Sequence, residues 1–289
     1  MKVLNSWYEH GTVVHEDRIS IPDIDHTKYA TSQYIAKYTD KLSSIQLPGR
    51  VALLYVGGVS ISSCETTEAN YKFNCSVDNM KNGPVIKATH AYAMHKYAGI
   101  LTSNGNNIVY ANISADTCAS SLYSIYEAER LLRDNIVDHV VIVAEEKTSK
   151  DTIRIFKEYM INLTVGEGFA CLVLSNDTDG VQIVDSKWAY KYDSNPFLVS
   201  ATGYEQVKSE CDVVKGHQTG TVQNDTAEKE VFGDNVVGYK AKIGHCQGAS
   251  GLIEVCMVIE DDELQGDVLC TASGLGGFYG SCVVKKVST

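Results

Sequence analysis

The chain has 289 residues, 44% of them apolar and 21% charged, which excludes a disordered or collagen-like polymer. Its formal net charge of −11 argues against general nucleic-acid binding, which needs clustered Lys and Arg. No apolar run approaches the ~18 residues of a membrane span, and Met1 leads straight into Lys-Val-Leu-Asn-Ser-Trp without a basic-then-apolar leader, so a cytoplasmic protein is expected, with no membrane partner.

Apolar runs and amphipathic segments alternate along the chain. Thr27 to Ser43 reads as a helix with Tyr34, Ile35, Tyr38 and Leu42 on one side, and Arg50 to Val56 as a buried strand ending in Gly57-Gly58. Ile86 to Ile100 reads as a helix, Ile108 to Ile113 as a strand, and Ser120 to Arg133 as a helix with Leu122, Ile125, Leu131 and Leu132 near helical spacing. His139 to Ala144 is an expected strand and Thr152 to Met160 an expected helix. Ala170 to Leu174 and Val181 to Val184 read as consecutive strands. Ala227 to Phe232 and Gly251 to Ile259 read as helices, Val268 to Thr271 and Ser281 to Val284 as strands. Strands alternating with helices argue for α/β layers. The nine cysteines are scattered, odd in number and without a C-x-x-C pair, so they read as reduced thiols, most of them small core residues, and not as a structural zinc set.

Four stretches could carry chemistry. In Ile113-Ser-Ala-Asp-Thr-Cys118-Ala-Ser-Ser-Leu122 a strand runs through a polar turn into a helix. A thiol there faces unpaired N–H groups and the positive end of the helix dipole, which favour the thiolate and can hold an oxyanion. The same pattern also fits a buried Cys with Ser120 and Ser121 as caps. Lys215-Gly-His217-Gln-Thr219-Gly-Thr221, followed by Asp225 and Glu228, fits a reactive histidine loop or a capped loop before a helix. Lys240-Ala-Lys-Ile-Gly244-His245 and Gly274-Leu275-Gly276-Gly277 are weak signals alone.

Taken in order, these stretches resemble the β-ketoacyl synthases of the thiolase superfamily. Cys118-Ala-Ser-Ser-Leu is similar to the family's C-S-S-S-L nucleophile stretch, and His217-Gln-Thr-Gly-Thr221 with Asp225 and Glu228 to H-G-T-G-T…D…E. Lys240 to His245 is similar to K-S-N-I-G-H, with Glu254 where the family often has a Glu; Gly166-Glu-Gly168 is similar to its G-E-G strand, and Ala272 to Gly277 to S-F-G-F-G-G. The resemblance spans roughly Arg50 to Lys286. The chain departs from the pattern in being shorter, with segments before Cys118, between Gly168 and His217, and between Glu228 and Lys240 trimmed. Gln218 and Asn224 each replace a usual Gly, Lys242 a usual Asn, Ala272 and Ser273 a usual Ser and Phe, and Leu275 the gating Phe.

The resemblance implies a thiolase-like αβαβα layered fold in one compact unit. Two pseudo-duplicated halves are expected, residues 1–178 with the nucleophile and residues 179–289 with the two histidine motifs, meeting near Leu174 to Val184. It implies decarboxylative Claisen condensation of an acyl-Cys118 intermediate with a malonyl-type carrier thioester, in polyketide or specialised fatty-acid biosynthesis. Cys118 would be acylated, His217 and His245 would stabilise the enolate, and Lys240 would orient that pair and bias its protonation. The backbone N–H groups of Cys118 and Leu275 would form the acyl oxyanion hole, and Thr219 and Thr221 would bond the phosphopantetheine arm; Glu228 and Glu254 would be structural. No metal or bound cofactor is implied, since substrates ride on the phosphopantetheine of an acyl carrier protein. The implied partners are that carrier and a second subunit, in a homodimer or a heterodimer with a related ketosynthase-like chain. Two other readings keep the fold: an acyltransferase without condensation, and a non-catalytic partner akin to a chain-length factor, which the presence of Cys118 opposes. His90 and His95, five positions apart, do not make an i,i+4 metal pair, and His10, His15, His26 and His139 have no companions. Tyr34 and Tyr38, and Tyr123 and Tyr126, read as packing, although one of the second pair could line an acyl pocket. Lys28, Lys37, Lys41, Arg130 and Arg133 are candidate carrier-docking cations.

Overall fold

The computed structural model describes residues 1–14, 18–24, 30–57, 89–148, 153–154, 157–158 and 163–286. Cys64, Cys75, His15, His26, Lys28, Gly58, most of the helix expected from Thr152 to Met160, and the first residues of the helices expected from Thr27 and Ile86 lie outside these.

In chain order the strands are β1 (Lys2–His10), β2 (Val13–Val14), β3 (Arg18–Ser20), β4 (Arg50–Gly57), β5 (Asn107–Ser114), β6 (His139–Glu146), β7 (Val165–Gly166), β8 (Gly168–Ser175), β9 (Gln182–Tyr190), β10 (Val213–Lys215), β11 (Val236–Val237), β12 (Asp267–Gly274) and β13 (Phe278–Lys285). The helices are α1 (Ala30–Ser43), α2 (His90–Ser103), α3 (Ser120–Arg133), α4 (Ala201–Glu205), α5 (Val222–Phe232), α6 (Lys240–Ile243) and α7 (Gln247–Glu260). Ten strands join in the order β11-β10-β12-β13-β9-β1-β8-β6-β4-β5. Taken by halves, the first five (β1, β4, β5, β6, β8) and the last five (β9 to β13) repeat one arrangement. In each, the first strand lies beside the fifth, the fifth beside the fourth, then the second and third. The fifth strand is antiparallel to both neighbours, and the second and third run parallel to the fourth. The halves meet where Lys2 of β1 pairs with Gln182 of β9.

The layering follows from strands that are apolar on both faces. Along β4, Ala52, Leu54 and Val56 join a core with residues of α3 and α7, whereas Val51, Leu53 and Tyr55 join a second core with residues of α1 and α2. A third core gathers Tyr204 of α4, Ala227 and Val231 of α5, and Tyr279 of β13. The result is five layers, α1/α2, sheet, α3/α7, sheet, α4/α5, which is the expected αβαβα arrangement. Tyr34 and Tyr38 of α1 pack on Phe169 of β8, with Tyr38 and Phe169 ring centroids 4.0 Å apart. No helix among the described residues is long and apolar enough to cross a membrane.

Most expected elements are present within a few residues, and α3 has the expected bounds. The alternation of apolar and polar residues did not mark β1, because Lys2, Asn5, Ser6, Glu9 and His10 dilute it. The strand pairs nevertheless along its length with β8, where Trp7 stacks on Phe169 with centroids 5.0 Å apart. The helix expected from Ala227 begins earlier, at Val222.

The central helices approach closely at a small-residue seam. Ser121 of α3 donates through its hydroxyl to the Gly248 carbonyl of α7, and a Cβ on Gly251 would stand 2.9 Å from the Ser121 Cβ. Gly99, on the open side of α2, has nothing within 4 Å of such a Cβ. Gly251→Val should therefore overpack the seam and lower stability by about 1–3 kcal/mol. Gly99→Ala should raise it by about 0.4–1 kcal/mol. Thermal and urea unfolding of the two variants checks both signs.

Candidate active site

Three stretches far apart in sequence meet where the central helices begin. Between β5 and α3, Thr117–Ala119 forms a single 3₁₀ turn that carries Cys118. The edge of this turn lies against β12: a Cβ on Gly274 would meet the Thr117 Oγ1 at 2.5 Å and the Asp116 carbonyl oxygen at 2.6 Å. His217 follows β10, and His245 precedes α7. The Cys118 Sγ and one ring nitrogen of each imidazole lie within 4.8 Å of one another, and the imidazole rings stand nearly perpendicular at 83° with centroids 5.2 Å apart.

Each of the three side chains lies within two residues of a non-glycine residue in the left-handed backbone region. These are Thr117 (φ 53°), Gln218 (φ 45°) and Gln247 (φ 41°). Such conformations cost roughly 1–3 kcal/mol each and persist only where the surroundings enforce them. The enforcing contacts are visible. The Glu228 carboxylate accepts the N–H groups of His217 and Gln218, the Gln218 amide at 3.0 Å and the Asn224 amide at 3.0 Å, and so clamps the His217 loop onto α5. His245 is held to β7 by its N–H on the Thr164 carbonyl at 2.7 Å and its carbonyl on the Gly166 N–H at 3.1 Å. Glu167, between the two glycines of that segment, accepts the N–H groups of Ile21 and Thr148.

Behind the imidazoles lies a buried charge cluster. Glu254 of α7 accepts from Lys215 at 2.5 Å through one oxygen and from Lys240 at 2.6 Å through the other, and Lys215 also donates to the Thr271 carbonyl at 3.3 Å. Two ammonium groups thus share one buried carboxylate, and the Glu228 carboxylate also acts on Lys215. Although burial alone would push the Glu254 carboxyl up, the two lysines hold it below its ordinary value. Burial, with Lys240 adding to it, drives both imidazoles toward the neutral form: His217 falls well below its ordinary value and His245 to about 3. The Gln247 N–H donates to His245 Nδ1 at 2.9 Å, so the neutral ring carries its proton on Nε2.

The Cys118 thiol corrects one expectation. A helix N-terminus was expected to favour the thiolate, yet the thiol is only 8% exposed, and burial pushes it up to about 12 although Lys240 pulls the other way. Desolvation of a sulfur anion outweighs the turn's dipole. The resting site therefore holds a neutral thiol between neutral imidazoles. Cys, His and His are also metal-ligating types, although the Lys240 charge beside the imidazoles is unfavourable to a cation.

These groups open onto a cavity of about 360 Å³. Thr219, Thr221 and Leu275 line it together with Cys118, His217 and His245. The two threonine hydroxyls bond each other at 2.8 Å, and Leu275 stands in the β12–β13 turn, its carbonyl accepting from Thr117 Oγ1 at 3.3 Å. All the residues singled out for the site are thus gathered at one cavity, with Lys240 behind it. Lys215 was not singled out for a role of its own; a lysine closing an apolar strand, Val213-Val214-Lys215, was the signal available. The four described docking cations already have partners. Lys37 pairs with Glu9, Lys41 lies over the Trp7 ring, Arg130 donates to the Tyr126 hydroxyl, and Arg133 pairs with Asp134. Tyr123 packs edge-on against Trp188.

Residues 199–263 match the family described as beta-ketoacyl synthase, C-terminal domain. The solved ishigamide ketosynthase/chain length factor superposes with a TM-score of 0.77 at 15% identity, covering 94% of this chain and 88% of that one. The chain has the ketosynthase fold. A beta-ketoacyl synthase from Burkholderia phymatum gives 0.70 at 16% identity over 94% and 88% of the two chains. A type II ketosynthase solved with its acyl-carrier protein and bound to a hexaketide gives 0.69 at 14% over 93% and 87%. No curated protein sequence matches this ketosynthase-like chain.

The buried cluster sets a pH signature. Glu254, held below its ordinary 4.5, contributes stability that is present above pH 4.5 and is lost as pH falls through its lowered folded value. Glu254→Gln should cost about 3–5 kcal/mol at neutral pH by leaving two ammoniums without their counter-charge. The deficit should shrink below pH 4.5. The imidazoles, depressed from 6.5, favour the fold fully above pH 6.5 and progressively less below it. Urea unfolding of wild type and variant across pH measures both trends.

Proposed function

We propose that this protein is a condensing enzyme, a β-ketoacyl-[acyl carrier protein] synthase that joins an acyl group on Cys118 to a malonyl-type thioester with loss of CO₂. The observation that carries the reading is the meeting of one thiol and two neutral imidazoles within 4.8 Å at a cavity wall. Simple acyl transfer needs a nucleophile and a base; a second neutral imidazole serves an additional charge, the enolate oxygen.

In loading, the Cys118 sulfur attacks the thioester carbonyl of the first carrier. Because the thiol rests protonated, its proton leaves as the bond forms; His217 takes it and returns it to the departing pantetheine sulfur. The N–H groups of Cys118 and Leu275 hold the carbonyl oxygen of the tetrahedral intermediate. In condensation, the malonyl carboxylate leaves as CO₂ and its electron pair becomes the enolate. The His245 Nε2–H and the His217 ring donate to the enolate oxygen, interactions that strengthen only as charge develops. The enolate carbon attacks acyl-Cys118 and breaks its C–S bond; the β-ketoacyl chain leaves on the second carrier, and the released thiolate takes a proton from solvent. Lys240 and Lys215 supply positive potential behind the imidazoles, which favours the enolate and keeps the rings as donors without full charge. Thr219 and Thr221 guide the phosphopantetheine arm. Among the described residues β5 is an edge strand, with Val109 exposed, and offers an edge for pairing with a second subunit, the same chain or a related one. A subunit that only shapes a pocket, as in a chain-length factor, has no use for this thiol and imidazole set.

Cys118→Ala should abolish acyl adduct formation seen by intact mass. His217→Ala and His245→Ala should each cut CO₂ release from a malonyl carrier by about 10²–10³. His245→Ala should keep substantial loading of Cys118. Unchanged CO₂ release in both His variants would favour the acyltransferase reading. Leu275→Phe, which adds a planar ring at the channel mouth, should slow turnover of the longest or stiffest chains while short acyl groups still load.

A further inference from the structure

Each imidazole shares its stretch of chain with one of the two lysines on Glu254. Lys215 closes β10 just ahead of His217, and Lys240 opens α6 ahead of His245. The first pair is the more tightly joined. Only Gly216 lies between Lys215 and His217, and it is wedged: a Cβ there would stand 2.4 Å from Val236 Cγ1 and 2.8 Å from Glu228 Oε1. The Gly216 N–H donates to the Val237 carbonyl of β11 at 3.0 Å, and the next two N–H groups go to Glu228. The Lys215 side chain is fully buried, with Nζ on Glu254 at 2.5 Å and on the Thr271 carbonyl at 3.3 Å. Strand, glycine and loop thus hold the ammonium and the His217 ring in one rigid piece.

A charge fixed in this way separates the two rings. Lys240 bears on both imidazoles, and Lys215 bears on His217 in addition. Glu228, on the other side of the loop, also acts on Lys215, but its oxygens are taken up by the N–H groups of His217 and Gln218 and by the Gln218 and Asn224 amides. The two roles that the chemistry asks of His217 pull in opposite directions. Taking the thiol proton needs a basic ring, whereas donation to an enolate oxygen is stronger from a less basic one. An ammonium locked beside the ring favours donation and opposes proton uptake.

We propose that Lys215 is a positioning residue that specialises His217 as a hydrogen-bond donor to the enolate, weakens it as the base for loading, and so makes the two imidazoles inequivalent. Lys215 does not line the cavity and acts through His217. The proposal rests on the condensing reading for the identity of the two steps, and on the geometry alone for the state of the ring.

The test is Lys215→Met, which keeps the bulk of the side chain and leaves Lys240 and Glu254 as a one-to-one ion pair. Lys215→Gln is the second variant; it keeps a donor for Glu254 without the charge, and it carries every readout if the methionine variant does not fold. Three quantities are measured on wild type and variants: nitrogen-15 spectra of both imidazoles across pH, the rate of Cys118 acylation by intact mass, and CO₂ release from a malonyl carrier. We expect the proton affinity of the His217 ring to rise about tenfold, with a smaller change at His245. Loading should quicken about two- to fivefold, and CO₂ release should fall about tenfold. The opposite signs are the signature, because damage to the fold slows both steps. An unmoved His217 ring, an equal shift at both rings, or a parallel loss of loading and CO₂ release would overturn the proposal. So would a glutamine variant that behaves as wild type, which would reduce Lys215 to an anchor for Glu254. If the wild-type protein takes up no acyl group, the condensing reading fails, while the ring spectra still decide whether Lys215 acts on His217.

Discussion

The bond that the site depends on most is the double one made by Glu254. It ties Lys215 at the end of β10 and Lys240 in α6 to the central helix α7, so one carboxylate joins the second half-sheet, the loop before His245 and the core of the molecule. A buried carboxylate between two ammoniums is costly to desolvate and strongly destabilising to break. Its functional consequence is a fixed positive potential close to the imidazoles. That potential, with burial, keeps His217 and His245 neutral, and neutral rings can donate to a developing oxyanion without having to be charged first.

The geometry around this cluster is enforced rather than relaxed. Thr117, Gln218 and Gln247 adopt backbone conformations that glycine would take more readily, each within two residues of Cys118, His217 or His245. Glu228 holds one of these turns and strand β7 holds another. The third is set by the close approach of β12 at Gly274, where any side chain would strike the turn that carries Cys118. The protein spends folding energy to aim three groups at one point, which is the expected distribution of strain when a site must be preorganised.

Much of this was legible in the chain. The apolar spacing of Leu122, Ile125 and Leu131 placed α3 because those positions face one core, and the burial of β4 on both faces gave a continuous apolar run that read as a buried strand. The order of the Cys118, His217, Lys240 and Gly274 stretches pointed to residues that do converge. What escaped was nonlocal. β1 carries too many polar residues for its pattern to show, and its place is set by β8. The ionisation of Cys118 was read from its turn, but it is decided by how deeply the surrounding layers bury it. The partnership of Asn224 with Ser273, two departures from the family pattern 49 residues apart, exists only once β12 and α5 are packed together. The lysine that shares Glu254 gave no sign beyond its place at the end of an apolar strand.

The charge state of the two imidazoles is the quantity on which the account turns, and nitrogen-15 NMR of histidine-labelled protein measures it directly. Each ring nitrogen reports its own protonation across a pH titration, with His217→Gln and His245→Gln spectra for assignment. The account predicts that both rings remain neutral well below their ordinary 6.5, with the His245 proton on Nε2 throughout. An imidazolium forming at either residue near its ordinary 6.5, or a His245 ring protonated on Nδ1, would contradict it.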